Sequence, residues 1–354
     1  PEGALELGPI PERALDTSWG RASYSAWAHA GTPLPPEAND EGRDNDALSH
    51  DGDDPETLAE LKPEGDPIDP GAAANWPALG PLAHFPRGAG PGDALHRMLE
   101  QIDYPTLAAA EELEGVRAVV LRELERAALA VELVDDVLAG LRQLVLSPLG
   151  GALGDGRLAD LEPGSWLNEL NFDLPLAVQE GRLVRGSGLA AVFERHPQGR
   201  FGAAYSRQLQ GLNVASRGFL TGSIDLVFRS EGRWWVADWK SNWLGQRDSR
   251  GEVIRCGPAD YSEAAMEGLM LTNHYPLQAH LYLVALHRYL RWRLPGYDPE
   301  RDLGGYAYIF VRGVPGPVAA GARNAGGAVP GVLVERAPVP RLLALDALLR
   351  EGQP

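Results

Sequence analysis

A mixed α/β domain is the fold class that this 354-residue sequence predicts, and three observations carry the prediction. Two strand-like runs, 217–229 and 233–241, are separated by "SEGR", a good hairpin turn. Helix-periodic stretches lie both before and after that hairpin. A further apolar run, "GGYAYIFVRG" (304–313), reads as a buried strand between helices. The order is helices, several strands, two helices, a strand and a helix.

Along the chain, "TSWGRASYSAWA" (17–28) is a short aromatic patch with no clear period. "GDALHRMLEQID" (92–103) sets Leu95, Met98, Leu99 and Ile102 at helical spacing, which predicts an amphipathic helix. Two more helices are expected within 106–130 and 131–146. "SWLNELNFDLPLA" (165–177) reads as a strand ended by Pro175, since proline cannot donate to a ladder. In the hairpin, Trp234, Val236, Asp238 and Lys240 share one face of their strand, and Ser223, Asp225 and Val227 share one of theirs. A helix is expected over 259–271, and another from Pro276, which suits a first turn, to Arg293. "VPRLLALDALLRE" (339–351) closes the chain as a helix. No internal repeat is present.

Composition narrows the function. No stretch reaches the roughly 18 uncharged apolar residues needed to cross a bilayer, so no membrane contact is expected. The chain opens at Pro1 with neither an initiator Met nor a signal-peptide pattern, and reads as a piece of a longer polypeptide. Cys256 is the sole cysteine, which excludes an internal disulfide and a cysteine-ligated iron–sulfur cluster and suits a reducing cytoplasm. A Walker A loop needs Gly-Lys-Ser/Thr, and neither lysine follows a glycine, so ATP is not expected to bind here. Residues 37–69 hold 13 acidic and 2 basic side chains, a net of −11 that leaves −6 for the rest of the −17 total. Such a Pro/Asp/Gly-rich stretch is expected to be a disordered linker, 37–80, between a preceding segment, 1–36, and a domain over 81–354. Bulk positive charge is not how this chain would hold DNA.

The chain writes 30 of its 32 positive charges as arginine, yet Lys240 stands in "WWVADWKSNWLG". If the hairpin closes with Arg229 opposite Trp234, Asp225 falls opposite Asp238, their carboxylates about 5 Å apart. Opposed like charges are unfavourable unless something positive lies between them, and a divalent cation with hard oxygen ligands, magnesium or manganese, answers this. Lys240 follows about 7 Å along the same face. An ammonium there can polarise a water, whereas a guanidinium is bulkier and does not lose its proton. The plainer reading is an ion pair of Asp238 with Lys240 on an exposed strand. The flanking Trp234, Trp235, Val236 and Trp239 favour a buried one, where unmatched charge is costly.

"GSIDLVF" followed by "VADWKSNWLG" resembles the catalytic core of the PD-(D/E)xK nucleases and, more narrowly, the C-terminal nuclease domain of RecB-type subunits of exodeoxyribonuclease V. "FPRGAGPGDALHRMLE" (85–100) is similar to that family's first motif, its histidine at His96. "LNELNF" is similar to the segment bearing an acidic residue, here Glu169. "YPLQAHLYLVALHRYLR" (275–291) matches the Gln-x-x-x-Tyr helix, with Gln278 and Tyr282. "GGYAYIFVRGV" and "LLALDALL" complete a pattern over 85–350, and "SYSAW" resembles the stretch before it. Pro276 and the acidic segment depart from the pattern.

The resemblance implies a restriction-endonuclease-like core, with a mixed central sheet flanked by helices and extra N-terminal helices. It implies magnesium-dependent hydrolysis of DNA phosphodiesters, with manganese possible and calcium a non-productive substitute. His96, Asp225, Asp238 and the Trp239 backbone carbonyl would bind the metal, and Lys240 would orient or activate the water. Glu169 would support the site or bind a second metal, and Gln278 and Tyr282 would support the Lys240 water or a DNA phosphate. Read without the family, His96 is a core histidine beside the Leu95/Leu99 stripe and Glu169 a strand-edge carboxylate. Gln278 and Tyr282, one turn apart, are then helix packing. The implied partners are DNA, RecC and RecD subunits and the helicase part of the same polypeptide, repairing double-strand breaks in a bacterial cytoplasm. The rivals are another PD-(D/E)xK endonuclease and a non-catalytic docking module, and the intact Asp225/Asp238/Lys240 set argues against the second.

Overall fold

The computed structural model describes residues 19–28, 76–109, 113–317 and 328–353, and the acidic stretch 37–69 lies outside them. The chain begins with β1 (Gly20–Ala22) and α1 (Tyr24–Ala28). Next come α2 (Ala89–Gln101), α3 (Tyr104–Ala109), α4 (Leu113–Arg126) and α5 (Val134–Leu146). β2 (Trp166–Leu176) and β3 (Val184–Arg185) lead to α6 (Gly186–Arg195) and α7 (Ala203–Gln210). β4 (Ala215–Ser216), β5 (Gly218–Ser230), β6 (Arg233–Lys240), β7 (Gln246–Arg247) and β8 (Val253–Arg255) follow. α8 (Glu263–Thr272), α9 (Tyr275–Arg293) and α10 (Pro299–Asp302) precede β9 (Leu303–Phe310), β10 (Val332–Glu335) and α11 (Val339–Glu351).

The β5–β6 hairpin organises the sheet. Its two-residue loop, Glu231–Gly232, has φ of +48° and +78°, the positive values that match a tight turn to the strand twist. Arg229 pairs with Trp234, the register expected from the sequence. The six-stranded sheet runs β1-β5-β6-β9-β10, with β2 also on β5. β6 is antiparallel to β5 and parallel to β9, and the parallel partner is reached by a crossover through α8 and α9. Alternation then divides β6 between two cores. Trp235, Ala237 and Trp239 join Leu95, Leu99 and Leu141 of α2 and α5, whereas Val236 joins Leu189, Leu281 and Leu345 of α6, α9 and α11. Helices therefore cover both faces of a mixed sheet.

Several expected boundaries move. Pro175 does not end β2: it pairs with Phe219 and the strand continues to Leu176. β2 is paired on one side only, so the missing N–H faces away from the ladder. The stretch 106–130 holds two helices, α3 and α4, and 131–133 is a single 3-10 turn before α5. α8 starts at Glu263, where the Ser262 side chain accepts from the Ala265 amide. β9 ends at Phe310, and 311–313 form a turn. The aromatic patch becomes β1, parallel to β5, and α1, whose Trp27 is buried and donates its indole N–H to Ser216 Oγ at 2.8 Å. Leu79 bridges to Cys256, tying the chain before α2 to the same body. α6, α7 and β10 were not foreseen.

Candidate active site

β6 delivers Asp238 and Lys240 to one face, two residues apart, at its C-terminal end. Lys240 is 0% and Asp238 3% exposed, which overturns the reading of a surface ion pair. The Lys240 ammonium lies 2.5 Å from Asp238 Oδ2. It donates to Gln278 Oε1 at 3.2 Å and sits 4.0 Å from the Tyr275 ring and 5.2 Å from the Tyr308 ring. Those two rings stack with centroids 5.7 Å apart. An isolated buried ammonium would be strongly unfavourable, and here a carboxylate, an amide oxygen and two π faces replace its water.

Gln278 is oriented from both ends. Its oxygen also accepts from Tyr308 OH at 2.7 Å, and its Nε2 donates to Tyr282 OH at 3.1 Å. Gln278 and Tyr282 are 0% and 1% exposed. Gln278 holds the lysine, and Tyr282 orients Gln278.

Asp225 occupies a break in the sheet. The β5–β6 ladder is regular as far as Leu226–Ala237 and stops one pair short of the two carboxylates. The expected face-to-face pair is therefore not a ladder pair; Asp225 Oδ2 instead accepts the Trp239 amide at 2.9 Å. On the other side of β5, Asn168 pairs with Leu226 and Leu170 with Ile224, while Glu169 between them has φ +55°. That left-handed conformation is uncommon for a residue with a Cβ. The phase of β5 shifts at the same place: Leu226 and Phe228 enter one core, but Ile224 and Val227 both enter the other. The β2–β5 register is the same on both sides of this break, so no residue is inserted; the left-handed Glu169 and the shifted phase of β5 together re-aim Asp225.

α2 brings His96 to that side chain, with Nδ1 3.4 Å from Asp225 Oδ2. One turn earlier on the same face, a Cβ on Gly92 would lie 3.0 Å from Ser241 Oγ, so the helix packs against the chain leaving β6. Burial acts to raise the pKa of Asp225, but His96, the Trp239 amide and the Lys240 charge outweigh it and hold the carboxyl below its ordinary range. Burial, and then the charge of Asp225, push the Tyr104 phenol up, so it stays neutral. Its OH donates to Asn168 Oδ1 at 2.9 Å, and Asn168 Nδ2 donates to Glu100 O at 2.7 Å, pinning β2 to α2 beside Glu169. The side chains of His96 and Asp225 are 23% and 15% exposed against 4% and 0% for Asp238 and Lys240, so water reaches the cluster from the His96 side.

Arg312 joins the two halves of this arrangement. Its buried guanidinium donates to Ser241 O (2.9 Å), Leu82 O (2.8 Å), Phe85 O (2.8 Å) and Pro86 O (2.7 Å). The residue after Lys240 is thereby fixed to the chain entering α2. Tyr275, Tyr308, Asn168, Tyr104 and Arg312 escape sequence reasoning. Their one local signal is a place inside or beside the quoted motifs.

Chemically, one sheet end offers an ionised carboxylate, a solvent-reached imidazole, a second carboxylate and a desolvated ammonium. Among the described residues, no three His, Cys, Asp or Glu side chains form a ready cation cage. His96 and Asp225 are adjacent, while Asp238 is engaged by Lys240.

No family profile matches the chain. It is 34% identical over 364 aligned residues to the RecBCD enzyme subunit RecB of Mycolicibacterium smegmatis, covering 97% of this chain and 30% of that protein. The RecB of Mycobacterium tuberculosis H37Rv is 33% identical over 363 aligned residues, 96% of this chain and 29% of its own. The RecB of Escherichia coli K12 is 34% identical over 230 residues, 65% of this chain and 17% of its own. The chain spans less than a third of the length of these curated relatives.

Proposed function

The chain belongs to the RecB family over the stretch it shares with those relatives, and on that premise we propose that it is a magnesium-dependent DNA nuclease. It would serve as the exonuclease part of a RecBCD-type helicase–nuclease in the repair of double-strand breaks by recombination. The helicase part of the same polypeptide and RecC and RecD subunits would deliver the strand. That division of labour suits a chain of net charge −17 acting on a polyanion.

The observation that carries the proposal is the buried Asp238–Lys240 pair. A docking surface gains nothing from a desolvated ammonium, and a hydrophobic pair of similar volume would be as stable or more so. A nuclease site does need a fixed positive charge beside its carboxylates. The donor chemistry also suits a hard divalent ion: two carboxylates and an imidazole around a break in the ladder, one carboxylate kept ionised.

His96, Asp225, Asp238 and the Trp239 carbonyl would hold magnesium or manganese, and Glu169 stands on the adjacent strand for a second ion. The bound ion would supply an acidified water and neutralise charge developing on the phosphate. The Trp239 amide and His96 keep Asp225 anionic. Lys240, oriented by Gln278 and the two tyrosines, offers its ammonium to the attacking water or a phosphate oxygen. No covalent enzyme intermediate is required.

The test is degradation of linear DNA with magnesium, by the chain and by its assembly with the helicase part and partner subunits. Chelation should stop cleavage and manganese restore it, while calcium permits binding without cleavage. An assembly that binds and unwinds DNA but never cleaves it with magnesium or manganese would favour the docking module.

A further inference from the structure

Beyond Lys240 the chain passes through Ser241 and Asn242 to Trp243 and enters the β7–β8 hairpin, which is separate from the main sheet. Its root is firmly tied. Cys256 exchanges backbone bonds with Ala78 and Gly80 at 3.0 and 2.8 Å, and Tyr261 OH accepts from Leu244 N at 3.2 Å and donates to Asn242 O at 2.7 Å. Two guanidiniums lie over the Trp243 ring, Arg87 at 4.7 Å and Arg247 at 5.3 Å. The tip is a turn in which the Asp248 carboxylate accepts the amides of Arg250 and Glu252 at 2.8 and 2.9 Å. Arg247 donates to Gly251 O at 2.6 Å. Arg255, at the base, is paired with Asp260. Arg247 and Arg250 are exposed, and neither forms an ion pair among the described residues; Glu252 is the other acid of the hairpin. Residues 246–255 hold three arginines against two acids, a net of +1 in a chain of net −17, three residues beyond Trp243 and next to the end of β6.

We propose that the 246–255 hairpin is a DNA-contacting arm, with Arg247 and Arg250 on the phosphates of the strand whose cleavage occurs at Lys240. Arg87 and Trp243 fix the root of the arm. The inference rests on the nuclease reading above. Arginine on phosphate is sequence-independent and positions a strand without reading it, which is what a nuclease that travels along DNA requires. An acidic protein surface is the other polyanion such an arm would suit.

The test uses the 354-residue chain, a fluorescein-labelled oligothymidylate and no divalent ion, so that binding is read without cleavage. Anisotropy titrations over a range of KCl give the slope of log K against log salt. The R247A/R250A double variant should flatten that slope by about 1.4, about 0.7 for each phosphate contact on a single strand, with an unchanged unfolding midpoint. R250A alone, which leaves the Trp243 stack untouched, should flatten it by about 0.7. A double variant with the wild-type slope overturns the arm, as it would if the arm met a protein, and so does a wild-type chain that does not bind the oligonucleotide. The two readings separate cleanly. An unchanged slope in a chain that still cleaves DNA with magnesium removes only the arm. A flattened slope in a chain that never cleaves leaves the arm standing and removes the nuclease.

Discussion

Lys240 Nζ and Asp238 Oδ2 lie 2.5 Å apart, with 0% and 4% of their side chains exposed. Such a pair adds little net stability, because desolvation offsets the attraction, but removing one partner leaves the other charge uncompensated. D238A should therefore lose about 3–5 kcal/mol in denaturant unfolding. The D238A/K240M double variant should recover much of that loss. Simple addition of the two single losses would show that the charges are not coupled.

Lys240→Arg keeps the charge and changes its shape. Tyr275, Tyr308 and Gln278 enclose the ammonium closely, so the larger head group should overpack by about 1–3 kcal/mol. Displacement by about 1 Å should slow magnesium-dependent cleavage on the order of 100-fold. Manganese affinity should persist, because Lys240 is not proposed as a ligand. Wild-type cleavage by K240R would make the lone lysine an accident of composition.

Gln278 should act through Lys240 rather than through DNA. Q278L removes the acceptor shared by Lys240 and Tyr308, leaving buried donors without it. The expected loss is about 1–3 kcal/mol of stability, with kcat reduced. Y282F removes one hydrogen bond to Gln278 Nε2 and should lose only about 0.5–1.5 kcal/mol. A raised KM for DNA with stability and kcat intact would instead point to a phosphate contact.

Arg312 should be needed for the alignment of His96 with β6. R312K retains a positive charge, but three donors on one nitrogen cannot reproduce a planar fork spanning four carbonyls. About 2–4 kcal/mol should be lost as buried carbonyls go unpaired, with cleavage falling alongside. Unfolding curves and cleavage rates that match wild type would remove the assigned role.

His280 predicts a pH dependence away from the site. Its Nε2 accepts from Arg341 at 3.2 Å and its Nδ1–H donates to Pro276 O at 2.6 Å. Burial, then the Arg341 charge, lowers its pKa to about 3. The unfolded chain takes up a proton near pH 6.5 that the folded chain refuses, so stability is full above that value and falls as pH drops toward 3. From pH 7 to pH 5 this one group should remove about 2 kcal/mol. H280Q should lose that part of the slope, and parallel curves for both proteins in urea would refute the assignment.

Local pattern was enough for much of the framework. Alternation and the Glu231–Gly232 turn set the hairpin, so the strand face carrying Asp238 and Lys240 was legible from sequence. The closing helix runs over the expected residues, Val339–Glu351. Helix α6 was hidden because it opens on "GSG", poor helix formers, and is held by burial of Leu189, Val192 and Phe193 instead. The site divides in the same way. The resemblance picked out Gln278 and Tyr282 as a pair, but not that Gln278 grips Lys240, 38 residues away, while bonded to Tyr308, 30 residues on. Nor does any local period foretell that Arg312 closes on Leu82, 230 residues earlier, or that Glu169 turns left-handed opposite Asp225. A side chain's face follows from the period of its own strand or helix, whereas its partner depends on which distant faces meet once the two cores have packed.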